Sequence, residues 1–154
     1  MPFELTSPAF STGSKVPARF TCDGEEVSPP LIWTDPPSAT RSFALVLEDP
    51  DAPGGIWSHW VVNGIRREAR ALPEGASGRF PAAESAEGMN SWGTVGYRGP
   101  CPPRRRGTHR YVFRLFALDA DVDPGFSATR EKLLETIDGH VLAEAQLVGR
   151  NARP

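Results

Sequence analysis

The stretch 49–60, DPDAPGGIWSHW, holds two carboxylates, Asp49 and Asp51, and an imidazole, His59, in a segment too broken by proline and glycine for a helix. A second imidazole, His109, opens the run HRYVFRLFALD, with the phenol of Tyr111 two residues on. Groups of these types could hold a metal, activate a nucleophile or bind a small anion. Two histidines and a carboxylate can make a mononuclear metal site with open positions. Here His59 and His109 stand alone in their segments, without an HxH or HExxH pair. An aspartyl-nucleophile phosphatase would also carry DxD after a strand, but it needs a crossover helix, and only PGG and another strand follow Asp51. Ser58 adjoins His59, yet adjacent strand residues point to opposite faces. Cys101, between prolines ahead of His109, leaves a Cys–His pair geometrically open beside the plainer reading of a structural thiol. An anion suits the set well. Imidazoles can charge near neutral pH and donate hydrogen bonds, and backbone N–H groups of the turn GYRGPCPP (96–103) would add donors. Asp49 or Asp51 would then orient a histidine and favour its protonated form. The alternative, two satisfied strand-end histidines, stays open.

These groups need a scaffold that gathers strand ends. Ser42–Glu48, SFALVLE, reads as a buried strand, His59–Asn63 as the next, and Arg110–Asp119 as the strongest strand of the chain. Leu31–Thr34 and Ala145–Arg150 read as shorter strands. If the three central strands are antiparallel neighbours, Asp49, His59 and His109 meet at one sheet edge. The period of two then puts His109 and Tyr111 on one face, roughly 6–7 Å apart. One helix is expected in SATREKLLETIDGH, with Ser127 as N-cap, Leu133, Leu134 and Ile137 at helical spacing, and Gly139 to end it. Residues 66–106 are turn-rich. The pattern predicts a mainly β protein, an antiparallel sandwich or barrel.

At 154 residues, without internal repeats, the chain suits a single domain over 1–154. Its 16 prolines and 15 glycines favour a loop-rich β protein over a helical bundle. A net charge of -2 provides no basic footprint for nucleic acid. No apolar run reaches the length of a membrane span. The opening MPFELTSPAF has neither the basic nor the apolar region of a signal peptide, which predicts a cytoplasmic protein. Cys22 and Cys101, the only two cysteines, are then expected as free thiols, and two alone cannot make a four-ligand zinc site.

The segments TCDGEEVSPPLIW (21–33), DPDAPGGIWSHWVVNGI (49–65), LPEG (72–75), NSWGTVGYRGPCPP (90–103), HRYVFRLFALD (109–119) and GHVLAEAQLVG (139–149) together resemble the phosphatidylethanolamine-binding protein family, in particular its bacterial Raf kinase inhibitor-like branch. The resemblance implies a β-sandwich with a central antiparallel sheet, one or two C-terminal helices, and a small pocket at one sheet edge for phosphate or phosphorylated head groups. Residue by residue it places Asp49, Asp51, Pro53 and His59 on the first pocket motif, and Gly99, Pro100, His109 and Tyr111 on the second. It implies a binder and modulator of a kinase, a protease or another partner, without catalysis, cofactor or metal, and often a homodimer. A metal-assisted hydrolase built on the Asp/His cluster, or a protease-inhibiting interaction protein with a vestigial pocket, are the alternatives. Two departures bear on the ligand. RRRGT (104–108) precedes His109, so Arg104, Arg105 and Arg106 form either a solvated loop or a cationic rim. Arg150 follows LVG where the family often has tyrosine. Trp92 and Tyr97 are expected at the rim.

Overall fold

The structure, a computed structural model, describes residues 2–80 and 86–154. In chain order the elements are β1 (Glu4–Thr6), β2 (Leu31–Thr34), β3 (Ser42–Asp49), β4 (Trp57–Arg66), β5 (Ala71–Leu72), β6 (Ala86–Glu87), β7 (His109–Leu118), α1 (Arg130–Ile137) and β8 (Val141–Asn151). Strands β6-β4-β3-β7-β8 form a five-stranded antiparallel sheet, and β1-β2-β5 a three-stranded one. The mainly β architecture expected from the turn-rich composition is the one observed. The turn-rich stretch lies partly outside the described residues.

β3 is apolar without alternation because every one of its residues is buried, with strands on both sides and cover on both faces. Phe43, Leu45 and Leu47 face the small sheet and pack with Leu5, Leu31, Trp33, Phe113 and Leu115. Ala44 and Val46 face the other way, against Val61, Phe116, Leu133 and Ile137, so α1 covers the outer face. Each fully buried large side chain contributes roughly 1.5–3 kcal/mol, and Trp33, Phe43 and Phe113 all belong to that class.

α1 starts at Arg130, later than SATREK suggests. Thr129, not Ser127, is the N-cap and accepts from the Lys132 N–H at 3.2 Å. Ser127 has φ 51°, a left-handed turn residue ahead of the helix. Gly139, φ 83°, follows the helix end as expected. β8 runs four residues earlier than its apolar pattern indicates, because pairing with β7 carries the exposed Val141 and Leu142.

The cysteines depart from expectation. Cys22 and Cys101 form a disulfide with Cα atoms 5.4 Å apart. The segments at 18–24 and 99–101 lie side by side: the Cys22 N–H donates to the Pro100 carbonyl at 3.1 Å. A Cβ at Gly99 would collide with the Phe20 carbonyl oxygen, so glycine is what allows this approach.

Candidate functional site

β3 pairs with β4 on one side and β7 on the other, both antiparallel. Its C-terminal end therefore meets the starts of both neighbours, and this is what gathers Asp49, His59 and His109. His59 arrives through a β-bulge. Leu47 pairs with Trp60 but Glu48 pairs with Ser58, so β4 carries one extra residue there. The bulge sets the His59 ring 5.3 Å from the Tyr111 ring, on the face that also buries Trp60.

Asp49, Pro53, His59, His109 and Tyr111 line one cleft of about 610 Å³. Its walls come from the turn after β3, from Ile56 and Trp57, from Ser91 and Trp92, and from Cys101, Pro102 and Pro103. His109 Nδ1 lies 2.7 Å from Asp49 Oδ2, and both side chains are only 5% exposed, so the pair is shielded from solvent. The other Asp49 oxygen accepts the Asp51 N–H at 2.8 Å. The carboxylate thus orients His109, not His59. His59 is oriented by the backbone instead: its Nδ1 is 2.8 Å from the Arg98 carbonyl. Burial lowers the His59 pKa, against the opposing pull of that carbonyl and of the Asp49 charge. Burial, seconded by the Asp49 charge, raises the Tyr111 pKa and keeps the phenol protonated.

Asp51 lies outside the cleft wall and clamps β7. It accepts from the Arg110 N–H at 2.9 Å, Nε at 3.0 Å and Nη2 at 2.9 Å, which lowers its pKa to about 2. Gly99 and Pro100 do not line the cleft either. The Gly99 N–H donates to Glu26 at 3.0 Å, and the Pro100 carbonyl is taken by Cys22. Their part is to seat the loop whose next residues do form the wall. Arg104, Arg105 and Arg106 are exposed on the loop between Pro103 and His109, outside the lining. Tyr97 packs on Trp60 at 5.4 Å and donates its hydroxyl to the Phe20 carbonyl, so it belongs to the core.

Trp92 lines the cleft as expected, whereas its neighbours Trp57, Ser91 and Arg98 escaped the reading of the sequence. Trp57 and Trp92 meet edge to face at 5.5 Å, the Arg98 guanidinium sits 4.9 Å over Trp92, and Trp92 touches the His59 ring at 4.9 Å. Asn90 places that tryptophan. Its buried Oδ1 accepts the Trp92 and Thr94 N–H groups, while Ser91 bonds Ser58 of β4 in both directions. An Asx-type turn in NSWGT was the available signal. Among the described residues, no three His, Cys, Asp or Glu side chains are grouped to hold a metal ion. The serine of the wall, Ser91, has its hydroxyl engaged by the Ser58 N–H, and Cys101 is bonded to Cys22.

Comparison with known proteins bears on the family and the fold. The profile of the family described as phosphatidylethanolamine-binding protein matches residues 6–152. A UPF0098 protein of Methanothermobacter thermautotrophicus is 48% identical over 149 residues, covering 94% of this chain and 95% of its own. The crystal structure of Escherichia coli YbcL, a member of the mammalian PEBP family, superposes with a TM-score of 0.93 at 30% identity, covering 100% of both chains. CT736 of Chlamydia trachomatis, a phosphatidylethanolamine-binding protein homolog, gives 0.88 at 38% identity, over 99% of this chain and 98% of its own. With the family profile spanning residues 6–152 and a relative 48% identical over nearly its whole length, the chain belongs to the phosphatidylethanolamine-binding protein family.

Proposed function

We propose that the cleft binds a small oxyanion, phosphate or a phosphorylated head group, and performs no chemistry on it. The observation that carries this reading is the buried Asp49–His109 pair beside His59 in a cleft with aromatic and proline walls. The carboxylate holds His109 in one orientation, from which an imidazole carrying both protons presents its second N–H to an anion. Among the described residues lining the cleft, no activated nucleophile accompanies it. The wall hydroxyl of Ser91 is already an acceptor, and the thiol of Cys101 is consumed in the disulfide. Ile56, Trp57 and Trp92, partly exposed around the mouth, suit the apolar portion of a head-group ligand.

Modulation of a kinase or protease, and a homodimeric state, extend the proposal on the strength of the family resemblance alone. The Cys22–Cys101 bond favours an oxidising compartment over the cytoplasm first expected. No helix among the described residues is long and apolar enough to cross a membrane. The test is calorimetric titration of the full chain with inorganic phosphate and with phosphoethanolamine, in parallel with His109→Ala. Saturable binding that disappears in the variant is expected. Absence of binding, or undiminished binding by the variant, overturns the reading.

A further inference from the structure

The two cleft histidines are both oriented through Nδ1 by oxygens that accept its proton. His109 Nδ1 faces the Asp49 carboxylate at 2.7 Å. His59 Nδ1 faces the Arg98 carbonyl at 2.8 Å. A carbonyl can only accept, so the His59 proton sits on Nδ1, and in the neutral ring Nε2 is left as a bare lone pair. No donor among the described residues hydrogen-bonds that nitrogen. The ring is 2% exposed and held edge-on between the Trp92 ring at 4.9 Å and the Tyr111 ring at 5.3 Å, so it cannot turn to hide the lone pair. The backbone that fixes it is itself fixed, since the Arg98 N–H donates to the His59 carbonyl at 3.0 Å.

Charged groups around the ring do not supply the missing proton. Asp49 and Glu26 act on it with negative charge, which favours a charged ring, but burial outweighs both. Asp51 and Arg110 neutralise one another at the edge of the cleft, and Arg98 is drawn toward Glu26 at 3.5 Å. The Tyr111 phenol stays protonated and interacts with the Asp49 carboxylate. An occupant therefore meets an acceptor at His59. A fully deprotonated oxyanion offers only lone pairs, and would set one of them against Nε2.

Resting on the reading of the cleft as an anion site, we propose that it selects an oxyanion that still bears a proton, a hydrogen phosphate or singly protonated phosphomonoester, with His59 Nε2 accepting that proton in a hydrogen bond. His59 is then the specificity-determining residue, and sulfate, similar in shape and charge but without a proton, is the anion it rejects. A buried acceptor left facing an acceptor is disfavoured strongly enough to discriminate between ligands of equal size.

The experiment is calorimetric titration of the full chain with inorganic phosphate and with sulfate at matched ionic strength and about pH 6, near the second ionisation of a phosphomonoester. Phosphate is expected to bind about tenfold or more tightly than sulfate. Equal affinities, or tighter sulfate, overturn the selection while leaving the anion site standing. If neither anion binds, the selection and the anion site fall together, so the two failures are distinct. His59→Gln replaces the lone pair by an amide that can donate, so the phosphate-to-sulfate ratio should fall toward unity with sulfate affinity rising. A ratio unchanged from wild type overturns the role of His59. Should that variant not fold, nitrogen-15 NMR of the imidazoles in the wild type decides. A neutral His59 ring bearing its proton on Nδ1, with and without phosphate, is expected, and a doubly protonated ring in the phosphate complex overturns the proposal.

Discussion

Asp51→Asn removes a charge from the clamp between the turn after β3 and the start of β7 while keeping an oxygen for the Arg110 N–H. The structure sets the size of the loss. Three donors of Arg110 converge on this carboxylate, and its pKa falls from the usual 3.8 to about 2. At face value that difference is worth roughly 2.4 kcal/mol. Exposure reduces it: the Arg110 side chain is 58% and the Asp51 side chain 30% exposed, so water and salt screen the pair. About 1 kcal/mol is the expected contribution, equivalent to about 2–4 °C in Tm for a chain of this size. The sign follows from linkage. A carboxyl whose pKa is lower folded than unfolded contributes stability that is fully present above its unfolded value. That stability is lost as pH falls through the folded value, here between about 4 and about 2. Denaturant unfolding of wild type and Asp51→Asn at neutral pH should differ by about 1 kcal/mol, and the difference should shrink across that window. A gap that is the same at both ends of the window would refute the electrostatic origin assigned to it.

Asp49→Ala leaves His109 buried without its partner, and should cost about 3 kcal/mol by thermal unfolding, with phosphate binding lost by calorimetry. A loss under about 1 kcal/mol would mean that the pair is not a structural unit. Replacing both cysteines by serine opens a connection between residues 79 apart in sequence, and should lower denaturant stability by about 4 kcal/mol. Wild type treated with reductant should unfold like the variant, and equal stability with and without reductant would count against a stabilising bond. Gly99→Ala drives a Cβ into the Phe20 carbonyl and the Thr21 Cα, and should cost about 1–3 kcal/mol by the same assay. A neutral outcome would show that the two segments separate readily.

How much of this was legible in the sequence depends on the range of the interaction involved. β3 and β7 were readable because burial on both faces of β3 and alternation through the first half of β7 leave a local imprint, and their antiparallel pairing then followed. So did the meeting of Asp49, His59, His109 and Tyr111, which depends only on strand ends. The partner of each histidine was not readable. Asp49 could have served either ring, and the bulge at His59 decides the matter by turning that ring toward the Arg98 carbonyl. Gly99 and Pro100 carried the motif without touching the cleft, because a motif records every residue that shapes a loop as well as those exposed on its inner side. The disulfide joins residues 79 apart, and no local feature of either segment announces the other. The choice of Thr129 over Ser127 was lost among competing local signals, since both hydroxyls precede the same apolar spacing.

The end of β3 places two carboxylates in succession, Glu48 and Asp49, and the sheet sends them to opposite faces. Glu48 is buried on the helix side between guanidinium groups, Arg114 at 3.1 Å and Arg130 at 2.9 Å. Arginine does not give up its proton at any pH a protein survives, so this charge is permanently matched and ties α1 to the sheet. Asp49 faces an imidazole, whose charge can change with its surroundings. Only the second arrangement can respond to a ligand. An anion entering the cleft meets an imidazole backed by a carboxylate, with no fixed guanidinium counter-ion to displace. Exchanging His109 for arginine would make the two faces alike, matching Asp49 permanently and supplying a donor at every pH. His109→Arg is expected to retain phosphate binding, with an affinity that follows pH only through the ligand's own second ionisation in titrations parallel to wild type. A variant whose affinity follows pH as wild type does would place the responsive proton elsewhere, on the ligand alone.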